Sequence, residues 1–124
     1  MARLFSSTSV ETTLASGISS SATSMTVASG TGSGLVGGVT IGTGNQFTVA
    51  LDPDTSNEEI VFITAQSTDT FTITRGRAGS SQIAHSAGAT VRHVLTSDDL
   101  NYFNNAIQSS VAVPGTPTIE GGTP

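Results

Sequence analysis

The sequence predicts a mainly β domain: a small antiparallel β-sandwich or partly open barrel, with one short C-terminal helix and extended terminal arms. Three observations predict it. Only 10% of the 124 residues are charged and 35% are hydrophobic, with Ser, Thr and Gly making up the difference; Thr favours strands and Gly favours turns and bulges. Several short runs from Gln46 onward alternate apolar and polar residues. That alternation stops at Thr96, where a helix-start signature begins. The length predicts one domain. Residues 1–11 read as an N-terminal arm, 12–108 as the β-rich body, and 109–124 as a Pro/Gly-rich C-terminal arm.

From the N-terminus, Thr12–Leu14 and Ser24–Ala28 are the first strand candidates, the second with Met25 and Val27 around Thr26. The run from Gly30 to Gly44 holds too many glycines for a helix interior, at about 1 kcal/mol each. It reads as a loop or flexible linker, with room for a short strand at Val39–Ile41. The run FTVAL places Phe47, Val49 and Leu51 on one face. In EEIVFITA, Ile60 and Phe62 oppose Val61 and Ile63, which predicts cover on both faces. A short polar turn then leads into TFTITRG, so the two runs form an antiparallel hairpin with Phe71 and Ile73 inward. The last strand is ATVRHVL, with Val91, His93 and Leu95 on one side.

TSDDLNYFNNAI carries the helix signals. Thr96 or Ser97 can cap the first amides, and Asp98 and Asp99 sit where the helix dipole favours anions. Thr96 and Asp99 have capping-box spacing. Leu100, Phe103 and Ile107 fall on one apolar stripe, able to pack on the sheet or to meet another subunit. The Pro- and Gly-rich segment after Gln108 excludes further helix. Neither Met1–Glu11 nor Val111–Pro124 has the apolar content to fold alone, so each is expected to be extended and to lie on a neighbour, the second alternatively being free.

The charge pattern excludes several function classes. Net charge is −5 and Lys is absent. Phosphate neutralisation needs Lys and Arg, so nucleic acid is not an expected partner. An anionic membrane surface is disfavoured for the same reason. With no cysteine, disulfides and thiolate metal sites are out. MARLFSSTSVETT lacks the apolar core of a signal peptide, and no apolar run approaches the ~20 residues of a membrane span. The expectation is a soluble protein made in the cytoplasm.

Few residues could carry chemistry. His85 and His93 are the two histidines, one in a loop and one in a strand. They lack the further ligands a zinc site needs, so no metal and no cofactor is expected. Asp52–Glu59 (DPDTSNEE) begins like a calcium loop but has Asn57 and Ile63 where that loop needs Gly and Glu. A Pro-Asp turn capping a hairpin explains it more simply; the remote alternative is a calcium-dependent carbohydrate-binding module. The run Arg75-Gly76-Arg77-Ala78-Gly79 lacks the Lys and the following helix of a phosphate loop. Its arginines are expected to pair with Glu58, Glu59 or Asp69. Gly76, Gly79 and Gly88 supply turns, and His85 ties the loop down. No nucleophile elbow is present, so no catalytic residue is expected.

Four blocks carry a resemblance: TTLASGISSSATSMTVASGTG, EEIVFITAQSTDTFTITRGRAG, AHSAGATVRHV and LTSDDLN, together spanning about Thr12 to Asn105. The most specific positions are Thr74-Arg75-Gly76, Gly79, Ala84-His85, Gly88-Ala89, Val91 and Leu95-Thr96. The chain resembles a small β-rich module of tailed-bacteriophage virion proteins, found at the N-terminus of tail fibres and in short stand-alone virion proteins. The resemblance implies a non-enzymatic structural protein located in the virion. It implies partners among other virion proteins (the major capsid protein, or tail and fibre proteins) and a homo-oligomer, a trimer being one such state. After Asn105 only a short Pro/Gly tail is read in this sequence, and no receptor-binding or collagen-like part is expected. The expectation is therefore a capsid decoration protein, with a tail-fibre adaptor or minor tail or neck protein as the alternative.

Overall fold

A computed structural model describes residues 2–42 and 44–110, without the side chains of residues 2 and 106–110. Seven strands form one curled, half-barrel sheet, so of the two expected architectures the partly open barrel is the one adopted. In chain order they are β1 (Ala2–Leu4), β2 (Thr12–Thr13), β3 (Ser24–Thr26), β4 (Asn45–Leu51), β5 (Glu59–Ser67), β6 (Thr70–Arg77) and β7 (Thr90–His93). Two helices accompany them, α1 (Gly32–Val36) and α2 (Ser97–Ser110). The spatial order is β2-β7-β4-β5-β6-β3. All pairings are antiparallel except that of β1, which runs parallel to β4. The ends of the sheet meet just beyond β2 and β3. There Leu14 bridges Val27, the Ala15 amide donates to the Thr26 carbonyl at 2.9 Å, and the Ala28 amide donates to that of Thr13 at 2.9 Å.

Alternation decides what fills the interior. Register sets Phe47 opposite Ile63 and Val49 opposite Val61, all fully buried on the concave face. Phe71 and Ile73 join them from β6, while Thr70, Thr72 and Thr74 stay exposed. Met25, Val27, Leu14, Leu35 and Val91 complete the packing. The second face of β4 and β5 is also buried, as the unbroken EEIVFITA run predicts. Thr48 lies opposite Phe62 there, and the guanidinium groups of Arg3 and Arg77 each sit 5.2 Å from the Phe62 ring centre.

Three expectations need correction. The Gly30–Gly44 run contains a helical turn, α1, and no strand at Val39–Ile41. Tertiary contacts override the glycine cost. The Asp69 carboxylate accepts the amides of Gly30 at 3.0 Å and Gly32 at 2.9 Å, and these bonds hold its carboxyl below the usual range. Leu35 and Val36 are buried. Gly32 lies so close to the β5–β6 turn that a Cβ would stand 2.2 Å from the Thr68 carbonyl oxygen.

The N-terminal segment is extended, but it lies on its own domain rather than awaiting another. Beyond β1, the Ser6 and Thr8 hydroxyls donate to the Gly37 carbonyl at 3.0 and 3.1 Å, and the Ser9 hydroxyl donates to that of Leu35. The Val10 amide donates to Gly34 at 2.8 Å. Ser and Thr thus satisfy carbonyls that the end of a helix leaves without partners. The last strand, finally, ends at His93, and Leu95 is exposed. Helix α2 runs to Ser110, and the expected arm Val111–Pro124 lies outside the described residues.

The close approach at Gly32 gives a paired test by urea denaturation. Gly32→Ala is expected to destabilise the domain, because backbone must move. Gly34→Ala, whose Cβ would meet only Val10 at 3.8 Å, is expected to stabilise it by up to about 1 kcal/mol.

Candidate functional site

The densest polar cluster sits inside the barrel, at one end. Period 2 places it there. Arg75 shares the inward face of β6 with Phe71 and Ile73, and Glu59 pairs with the inward Leu51. Both side chains are withdrawn from water, so each needs the other. Arg75 Nε donates to Glu59 Oε2 at 2.8 Å and Nη2 to Oε1 at 2.9 Å, a bidentate pair. The rest of the guanidinium is satisfied by backbone. Nη1 donates to the carbonyls of Ser19 at 2.8 Å and Ala22 at 2.9 Å, and Nη2 to that of Ile83.

His85 completes the cluster from the 78–89 loop. Its ring is fully buried, with Nε2 2.9 Å from Glu59 Oε1 and Nδ1 2.8 Å from Asp52 Oδ2. Two backbone bonds tie the same residue to Ile18: the His85 amide donates at 3.0 Å and its carbonyl accepts at 2.9 Å. Glu59 also accepts the amides of Gly76 at 2.9 Å and Ile83 at 3.2 Å. One carboxylate therefore gathers β5, β6 and the loop. Burial works against its charge, but the bonds from Arg75, His85 and the two amides outweigh that and hold the Glu59 carboxyl at about 2.

A second cluster fixes the start of α2. Asp99 is fully buried. Its Oδ2 accepts the Thr96 amide at 3.0 Å and the Thr96 hydroxyl at 3.0 Å, while the Asp99 amide donates to that hydroxyl at 3.1 Å. This is the expected capping box, with Asp in the acidic position. Its Oδ1 accepts from Thr48 at 3.1 Å and from Arg3 at 2.8 Å, and the same Arg3 nitrogen reaches Asp98 at 2.8 Å. Nearby, the His93 ring stacks on Phe47 with centres 4.0 Å apart. Burial pushes His93 below its usual value, against the opposing pull of the Thr48 carbonyl and Asp99. The neutral ring donates from Nδ1 to Thr48 at 2.7 Å and accepts the Ser6 amide at Nε2, 3.3 Å away.

The residues singled out from sequence thus separate into two places. Arg75, Gly76 and His85 come together around Glu59, one of the three acids expected to pair with the arginines. Gly76, Gly79 and Gly88 adopt φ of 59°, 81° and 87°, as turn residues do. Leu100 and Phe103 lie exposed on α2, and the side chain of Ile107 lies outside the described residues. The two histidines lie in different clusters. Sequence reading missed Asp52 as the partner of His85, and missed Arg3, Thr48 and Phe5, which only the tertiary fold brings to their neighbours.

An open groove of about 540 Å³ lies between the second cluster and α2, lined by Phe5, Ser6, Ser7, His93, Val94, Leu95 and Phe103. Among the described residues no group of three or more His, Asp or Glu is placed to hold a metal ion. In the Asp52–Glu59 turn, Asp52 is engaged by His85 and its carbonyl accepts the Thr55 hydroxyl at 2.7 Å. Among the described residues no helix is long and apolar enough to cross a membrane. Compared with known proteins, the chain matches no family model and no curated protein.

The low value at Glu59 makes stability depend on acid. Unfolded, this carboxyl takes up a proton near its ordinary value of 4.5; folded, only near 2. Its contribution is complete above pH 4.5 and is lost as pH falls toward 2. Glu59→Gln, followed by denaturant titration across that range, is expected to flatten this acid limb. At neutral pH it should destabilise the domain by about 3–5 kcal/mol, since Arg75 is left buried and uncompensated.

Proposed function

We propose that this chain is a non-enzymatic structural protein of a tailed-phage virion, bound at the particle surface as a capsid decoration protein. The resemblance across Thr12–Asn105 supports the virion setting. The observation that carries an assembly role is where the polar and apolar groups are spent. Glu59, Arg75, His85 and Asp99 turn inward and bond to the chain's own groups, while Leu95, Leu100 and Phe103 stand outward beside an open groove. A catalytic constellation keeps some acid, base or nucleophile facing a cleft. The groove here is lined by aromatic, aliphatic and hydroxyl groups and a neutral His93, as a protein-binding surface is.

The partners on this reading are the shell protein and further copies of the same chain. Quantitative mass spectrometry of purified particles tests it. Copy numbers comparable with the major capsid protein are expected. A few copies per particle would move the protein to the tail or neck, and absence from the particle would overturn the virion reading.

A further inference from the structure

Helix α2 is anchored to the domain by its first turn, and beyond it the Tyr102 ring lies 4.5 Å from the Arg3 guanidinium. Among its described side chains, Ser97 to Asn105, Asp99 alone is buried, held by Thr96, Thr48 and Arg3. Leu100 is 54% exposed and Phe103 37% exposed, although Phe103 touches Phe5 with ring centres 5.0 Å apart. A 14-residue helix rich in Asn and Ser is marginal in water without tertiary packing. Leu100 and Phe103 leave it an apolar face to cover.

Charge indicates which surface. The chain carries nine acidic and four basic residues, and its net charge of −5 opposes contact between copies. None of those charges falls between Leu100 and Ser110. A solvated helix normally carries charge on its outer face, whereas charge depletion with retained aromatics marks the core of an interface. Leu100, Phe103 and Ile107 are spaced i, i+3 and i+7, the a–d–a spacing of a helix–helix seam. An uncharged stripe of this spacing is complementary to itself, and it is a part of the molecule where copies meet without repulsion.

We infer that copies of this chain associate through α2, with the exposed Leu100 and Phe103 in the seam. This rests on the assembly role proposed above and names the surface used. The first turn is fixed by the capping box and Arg3, so these groups set the angle at which the seam leaves the domain. They are positioning residues for the contact.

Sedimentation equilibrium of the full chain tests this. The unmodified protein is expected to sediment as a multimer. Leu100→Lys and Phe103→Lys should sediment as monomers, and Leu100→Lys, the more exposed position and outside the Phe5–Phe103 contact, should keep a melting temperature close to the parent's. Val10→Lys, at an exposed apolar residue away from α2, should leave the mass unchanged. A monomeric parent, or a multimer untouched by either α2 substitution, overturns the inference. Particle copy number is measured separately, so a failed seam and a failed virion reading give different results.

Discussion

A single carboxylate inside the barrel sets the terms for the rest of the fold. Glu59 is fully buried, and an uncompensated charge there would cost several kcal/mol. Its compensation comes from two successive parts of the chain: Arg75 and Gly76 on β6, and Ile83 and His85 in the following loop. His85 passes the connection on to Asp52 in the β4–β5 turn, and Arg75 passes it to the carbonyls of Ser19 and Ala22. Long irregular segments with little apolar content are therefore held in one geometry. Hydrophobic burial alone would leave the 78–89 loop weakly specified, since most of its side chains are exposed or half-buried. The polar cluster supplies direction where the core supplies adhesion.

The second face depends on a related arrangement. Arg3, carried on the parallel strand β1, covers Phe62 and bonds to both acids at the start of α2. Asp99 is at once a helix cap and a buried ion-pair partner. The N-terminal strand, the sheet and the first turn of the helix are thereby locked together. Charge is thus concentrated in two internal clusters and a few surface pairs such as Arg92 with Glu11. From Leu100 onward α2 is left without charge.

Much of this was legible in the sequence, for identifiable reasons. The strand and hairpin pattern from Gln46 to His93 follows from period 2. So does the inward direction of Arg75, two residues beyond Ile73. Capping-box spacing located the start of α2. What was not legible depends on distance in the chain. Nothing local to Gly30–Gly38 announces that Asp69 will cap its amides, or that Leu35 will enter the core. The Ser/Thr-rich N-terminus reads as low complexity because its hydroxyls act one by one on α1 carbonyls, a pattern with no period. Asp52 meets His85 only because the β4–β5 turn and the loop close over the same barrel end.

The Glu59 carboxylate, through Arg75 and His85, makes the barrel end and its loop one cooperative unit. Native-state hydrogen exchange at the Gly76 and Ile83 amides tests this most directly, because both donate to that carboxylate. Both are expected to exchange only through global unfolding, at the rate of core amides such as Val61. Fast exchange at either amide, with the β4–β5 core still protected, would show that the loop opens independently and would contradict it.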